Sequence, residues 1–165
     1  MDTNQEKSLL SFRTADISRD WDFVLACGER AWLAVYGNLK RYNPDFFKSN
    51  TEAIYRLRAD NVILASVGGV NAGICILDSR VEEEEQSGHI SLLYLEPQFR
   101  GCGYGTQLIA YAEDVCRARG AQQIRLFVAV VNHRARRFYA KCGYAKYGQQ
   151  FPLLSGQLVL RKELQ

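Results

Sequence analysis

Residues 89–131 constrain the fold more than any other stretch of this 165-residue chain. His89–Leu95 is a short, strongly apolar run of the kind that sits centrally in a sheet. Gly101–Gly105 follows as a glycine-rich loop. Thr106–Arg119 then places Leu108, Ile109, Ala112, Val115 and Cys116 at helical spacing, and Gly120 stops the helix. Ile124–Val131 is a second buried run. A strand, a helix and a second strand in this order form a crossover, and the two strands it joins run parallel.

The flanking segments add antiparallel strands and further helices. Leu9–Arg13 reads as a short strand after a polar arm. Asp16 or Ser18 caps a helix carrying Trp21, Val24, Leu25, Trp32 and Val35, which ends at Gly37-Asn38. Asn43-Pro44 opens a second helix with Phe46, Phe47, Ala53, Ile54 and Leu57 on its apolar stripe. Val62–Val67, Gly68-Gly69 and Gly73–Leu77 read as strand, turn and strand of an antiparallel hairpin. Residues 78–88 form a polar connection that includes the acidic run Glu82–Glu85. Asn132 caps a short helix with Ala135, Phe138, Tyr139 and Cys142, and Gly143 lies past its end. Tyr144–Tyr147 and Gln157–Arg161 read as closing antiparallel strands. The expected fold class is α/β of the α+β type: a mixed, mostly antiparallel sheet around one parallel pair, in a single domain spanning residues 1–165.

Composition narrows the class of function. The net charge of +3 permits attraction for anions without demanding nucleic acid, and there is no broad basic stripe or nucleic-acid-binding motif. Cys27, Cys75, Cys102, Cys116 and Cys142 are odd in number and contain no C-x-x-C, the pattern of reduced thiols in a reducing compartment. With only His89 and His133 to supplement them, no metal is expected. No run reaches the roughly 18 apolar residues of a membrane span, and Met1–Lys7 leads into no signal-peptide core. The expectation is a cytoplasmic protein without membrane contact, monomer or homodimer.

The loop between the first buried strand and its helix points to an anion. In Leu95-Glu96-Pro97-Gln98-Phe99-Arg100-Gly101-Cys102-Gly103-Tyr104-Gly105-Thr106 a strand ends, glycines free the backbone and a helix begins. Unpaired N–H groups at a helix start and the helix dipole favour a phosphate, and Arg100 adds a formal charge. A P-loop would need Gly-Lys-Ser/Thr at its end, which is missing. A dinucleotide loop would need glycine where Thr106 stands and an acid at the end of the next strand, which closes on Val131-Asn132. A tight turn with no ligand remains open on the glycines alone.

These residues resemble the GNAT superfamily of N-acetyltransferases. That family's acetyl-CoA signature, Arg/Gln-x-x-Gly-x-Gly/Ala after an aliphatic-x-Pro strand end, is matched by Leu95, Pro97, Arg100, Gly103 and Gly105. Its second segment, Asn-x-x-Ala-x-x-Phe-Tyr-x-x-x-Gly-Phe/Tyr, is matched by Asn132, Ala135, Phe138, Tyr139, Gly143 and Tyr144. The close match covers residues 89–145. The resemblance implies a GNAT fold whose central parallel strands splay apart, with helices on both faces. It implies acetyl-CoA as acyl donor and an amine as acceptor: a protein N-terminus, a lysine or a small molecule. The amides of Gly101, Cys102, Gly103, Tyr104, Gly105 and Thr106, with Arg100, would hold the pyrophosphate of CoA. Leu93 and Leu95 would pair their backbone with its pantetheine arm, Asn132 would flank the thioester slot, and Phe138 would pack near the cofactor. Tyr139 would be the general acid that protonates the departing sulfur. By spacing alone Tyr139 reads as a core aromatic, and only the resemblance assigns it chemistry.

No general base is carried over. Relatives place a carboxylate where this chain has Ser91 or Phe127. His89 is a candidate base, on the argument that it alternates with Ser91 and Leu93 along one strand face and that an imidazole titrates near neutrality. Glu96, expected on the opposite face beside Pro97, is a weaker one, and a water relay is the default. Arg134, Arg136 and Arg137 form a basic cluster for the CoA phosphates or another anion. Trp21, Trp32, Tyr36, Tyr42, Phe46 and Phe47 are divided between core and acceptor pocket or dimer contact. The missing carboxylates leave a non-catalytic CoA-binding or regulatory module open, and since fold alone does not fix function, an acyltransferase that uses another acyl-CoA is a second alternative.

Overall fold

The computed structural model describes residues 9–79, 86–150 and 156–165. The acidic run Glu82–Glu85 lies outside them. After β1 (Leu10–Thr14), Asp16 accepts from the Ser18 N–H at 2.9 Å and opens α1 (Ile17–Tyr36). Asn43 accepts from the Phe46 N–H at 2.9 Å and opens α2 (Pro44–Leu57), with Pro44 in the first turn. β2 (Val62–Val67) and β3 (Val70–Leu77) pair from Val67↔Val70 onward, so the hairpin closes three residues earlier than Gly73. β4 (Ser87–Leu95), α3 (Tyr104–Ala118) and β5 (Gln123–Ala129) form the expected crossover. α4 (His133–Lys141), β6 (Ala145–Gln150) and β7 (Gln157–Glu163) complete the chain.

Among the described residues these strands form one seven-stranded sheet in the order β1-β2-β3-β4-β5-β7-β6. β4 and β5 are parallel, and every other neighbouring pair is antiparallel. Helices cover both faces. Leu108, Ile109 and Ala112 of α3 and Tyr139 of α4 share a core with Cys75, Leu77, Ile124 and Leu126. On the other face Val24 and Cys27 of α1 and Ile54 of α2 pack on Leu64, Ile74, Ile76 and Tyr94. Burying apolar side chains on both faces of the central strands is what stabilises this three-layer arrangement. Cys27, Cys75 and Cys116 are buried, Cys142 is half-buried and Cys102 is exposed, all as free thiols. No helix among the described residues is long and apolar enough to cross a membrane.

One irregularity in β4 matters for the site. Ile76 pairs with Leu92 and Leu77 pairs with Ile90, so Ser91 has no counterpart on β3. This extra residue is a β-bulge, and it reverses the alternation of side chains along the strand. Ile90 and Leu93 both join the α3 core, while Leu92 and Tyr94 join the α1/α2 core. His89 therefore faces the α1/α2 side, against the Phe127 ring at 5.1 Å, and not the side of Leu93. The plain alternation of His89, Ser91 and Leu93 on one face does not hold.

The entry into α1 carries a pH-sensitive contact. Asp20 is 3% exposed and accepts from the Arg13 guanidinium at 2.8 Å and from the Asp16 N–H at 2.8 Å. The Arg13 hydrogen bond leads the effects that hold its carboxyl down to about 2. A depressed carboxyl stabilises the fold above its unfolded value, and the contribution is lost as pH falls through the folded value. Unfolding free energy is expected to drop between about pH 4 and pH 2. Asp20→Asn is expected to be less stable at pH 7 and to lose less over that window. Denaturant titrations of both proteins across the acid range test this, and parallel pH profiles would exclude the assignment.

Candidate functional site

The parallel pair is short. β4 and β5 are matched only from Ser87↔Gln123 to Ile90↔Leu126. Beyond that, β4 continues to Leu95 on β3, and β5 continues to Ala129 on β7. The two strands diverge, and β4 acquires an open edge. Strand amides alternate sides. The Glu96 N–H donates to Ala72 O at 2.8 Å, toward β3. The Leu95 N–H and C=O, and those of Leu93 two residues earlier, therefore point to the open side. Arg100 Nε reaches the Leu95 carbonyl there at 2.8 Å.

A groove of about 400 Å³ fills the opening, within the size range of small-molecule sites. Leu93, Tyr94 and Leu95 form one wall, and Ala135, Phe138 and Tyr139 of α4 form another. The start of α3 closes its end. Gly101 and Gly103 hold φ of 77° and 82°, the left-handed region that glycine adopts without strain. Gly103 caps α3 with no side-chain hydrogen bond, whereas Asp16, Asn43 and Asn132 cap the other three helices with theirs. The first-turn amides of α3 thus remain available at the groove, at the positive end of a 15-residue helix.

Electrostatics agree with the backbone. Arg100 and Arg134 both line the groove, and among the described residues no carboxylate does. Burial first, and then the Arg134 charge, lower the Arg100 guanidinium below its ordinary value. An anion between the two arginines would relieve that repulsion. Burial, with smaller effects from Cys75 and Cys142, raises the Tyr139 hydroxyl well above the usual tyrosine range. Tyr139 is therefore a neutral O–H donor at any physiological pH.

The expected donor-site residues divide by side chain and backbone. Leu93, Leu95, Arg100, Gly101, Gly103, Gly105, Thr106, Phe138 and Tyr139 all line the groove. Cys102 is exposed with its thiol toward the Arg100 carbonyl at 3.7 Å, and the Tyr104 ring is buried under α3, so neither side chain enters the groove. Asn132 accepts from the Ala135 N–H at 3.1 Å and sets the start of α4, without lining the groove itself. His89 lies in the closed part of the pair, outside the groove. Of the basic cluster, Arg134 reaches the groove, while Arg136 donates to the Val130 carbonyl at 2.9 Å. Tyr94 is the lining residue that no local pattern marks. Of the aromatic set, Trp32, Tyr36, Tyr42 and Phe47 pack together, Trp21 meets Tyr55, and Phe46 is exposed.

Comparison with known proteins places this geometry. A family model described as the acetyltransferase (GNAT) family matches residues 24–144. An uncharacterized N-acetyltransferase of Archaeoglobus fulgidus is 34% identical over 84 residues, 49% of this chain and 57% of that protein. The chain spans about half the length of the curated relatives it matches. Two solved structures share the fold. Ard1 of Thermoplasma volcanium superposes with a TM-score of 0.75 at 18% identity, covering 94% of this chain and 98% of that one. The PaiA N-acetyltransferase of Thermoplasma acidophilum, in complex with coenzyme A, gives 0.70 at 18% identity, covering 94% and 99%. With the family model covering most of its length, the chain belongs to the GNAT family of acetyltransferases.

Proposed function

We propose that this protein is an N-acetyltransferase that moves the acetyl group of acetyl-CoA directly onto an amine held in the same complex. The observation that carries this reading is the divergence of β4 from β5 onto the uncapped start of α3, between two arginines. The residues present fit the donor. Arg100, Arg134 and the α3 amides suit a diphosphate. The open edge of Leu93 and Leu95 suits the amide groups of a pantetheine arm, and Phe138 supplies an apolar contact. The coenzyme A complex of the PaiA relative supports the same donor class.

The chemistry asks little of the side chains. Alignment of amine and thioester supplies much of the rate. The Leu95 N–H, on the open side, is available to a developing oxyanion. The amine nitrogen forms the C–N bond as the C–S bond breaks, and the sulfur takes the Tyr139 proton. The nitrogen loses its proton to solvent, and solvent reprotonates Tyr139. This water route suits a groove that holds no imidazole or carboxylate among its described residues.

Calorimetry with CoA and acetyl-CoA tests the donor reading. The wild type is expected to bind both, and the double variant Arg100→Ala/Arg134→Ala to bind at least about 150-fold more weakly, since each of the two charge-assisted contacts contributes roughly 1.5–3 kcal/mol. Acetyl transfer is then measured over peptide N-termini, lysine peptides, polyamines and aminoglycosides. A wild type that binds neither CoA nor acetyl-CoA sinks the donor reading. Binding without transfer to any amine leaves a CoA-binding module instead.

A further inference from the structure

A polar chain runs through the sheet beside the donor groove. Arg30 of α1 is salt-bridged to Glu96, which is buried just past the end of β4. Glu96 also accepts from the Tyr94 hydroxyl at 3.4 Å. The Tyr94 ring lies under the Arg100 guanidinium, 5.3 Å from its carbon, and Arg100 in turn donates to the Leu95 carbonyl. The bulge at Ser91 creates this alignment, because it sends Tyr94 toward α1 while Leu93 and Leu95 face the groove.

Arg100 needs such support. Its guanidinium is half-buried and feels the like charge of Arg134, an arrangement that favours swinging it out to water. Tyr94 offers it an aromatic face, Leu95 an acceptor, and Glu96 an opposite charge one step further back. Arg30 holds Glu96 in place through their salt bridge. We propose that Tyr94, held by the Arg30–Glu96 pair, is a positioning residue that fixes Arg100 for the donor's diphosphate. This rests on the acetyl-CoA reading of the groove. It gives α1, on the far face of the sheet, a part in donor binding.

The test compares acetyl-CoA with S-acetylpantetheine, which lacks the diphosphate, in wild type, Tyr94→Phe, Glu96→Gln, Arg100→Ala and Tyr94→Phe/Arg100→Ala. Tyr94→Phe keeps the ring and removes one hydroxyl, and thermal melts verify that each variant is folded. Tyr94→Phe, which loses one hydrogen bond, and Glu96→Gln, which loses the charge paired with Arg30, are each expected to raise KM for acetyl-CoA and Kd for CoA about fivefold. The loss falls on KM, with kcat at saturating acetyl-CoA and KM for S-acetylpantetheine within about twofold of wild type. On the Arg100→Ala background, Tyr94→Phe is expected to add nothing. Unchanged acetyl-CoA affinity in Tyr94→Phe, equal losses for both donors, or additive losses with Arg100→Ala would each overturn the proposal. A wild type that binds no CoA sinks the donor reading and this proposal together. CoA binding with an unaffected Tyr94→Phe sinks this proposal alone.

Discussion

Tyr139→Phe is expected to lower kcat about a hundredfold, at the low end of what a positioned general acid contributes, while KM for acetyl-CoA stays within about twofold. The ring packs edge-on against Tyr144 at 5.8 Å and beside Phe138 at 5.3 Å, contacts that phenylalanine keeps. Only the hydroxyl is lost, and with it the proton donor, so the expected deficit belongs to the step in which sulfur departs. The pH dependence has a definite sign. Burial raises Tyr139, so the acid form persists through the alkaline range. The wild-type rate is therefore expected not to fall between about pH 8 and 10 through loss of this proton. Donors with better thiol leaving groups should narrow the gap between variant and wild type. A variant that turns over at the full rate with a verified acceptor removes Tyr139 from the chemistry.

Lys162→Met is expected to cost about 3 kcal/mol of stability, the low end for breaking a buried ion pair. Glu113 of α3 has a side chain only 7% exposed. It accepts from Lys162 Nζ at 2.8 and 3.0 Å and from the Tyr144 hydroxyl at 3.0 Å. This cluster clips α3 to β7 and to the segment leading into β6. Removing Lys162 leaves a carboxylate in the core with one neutral donor. For a chain of this size the thermal midpoint should fall by roughly 6–12 °C. Adding Glu113→Leu should recover most of the loss, since an apolar replacement of the whole pair is often neutral or better. Denaturant unfolding of the single and double variants measures both effects. A loss below about 1 kcal/mol in Lys162→Met would show that solvent reaches Glu113 well enough to replace the lysine.

Much of this architecture is legible locally. Caps at Asp16, Asn43 and Asn132 mark three helix starts, and in each the structure has the side chain on a backbone N–H as the residue type implies. The glycine loop and the segment from Asn132 to Tyr144 announce the family because each of its two motifs is written within one short stretch of chain. What the sequence hides is non-local or masked by composition. The bulge at Ser91 sits in Ile-Ser-Leu-Leu, where apolar residues on both faces erase the alternation that would have revealed a change of parity. The bulge therefore puts His89 on the face opposite Leu93, where strict alternation would have them share one. Arg30 and Glu96 are 66 positions apart, and nothing beside either residue marks its partner. Arg134 looks like any member of an arginine-rich helix until the turn set by Asn132 aims it into the groove.

The brief contact between β4 and β5 has a mechanical meaning. Four residues on each strand join β1–β4 to β5–β7–β6, and past Ile90 and Leu126 the sheet is two panels with a seam between them. On the proposed reading, the donor's amide-bearing arm lies in that seam as a temporary eighth strand. Each bound donor then adds to the free energy of unfolding in proportion to the logarithm of its concentration. The protein's own durability becomes a gauge of donor supply: it is most robust when there is acetyl-CoA to spend and loosest along the seam when there is none.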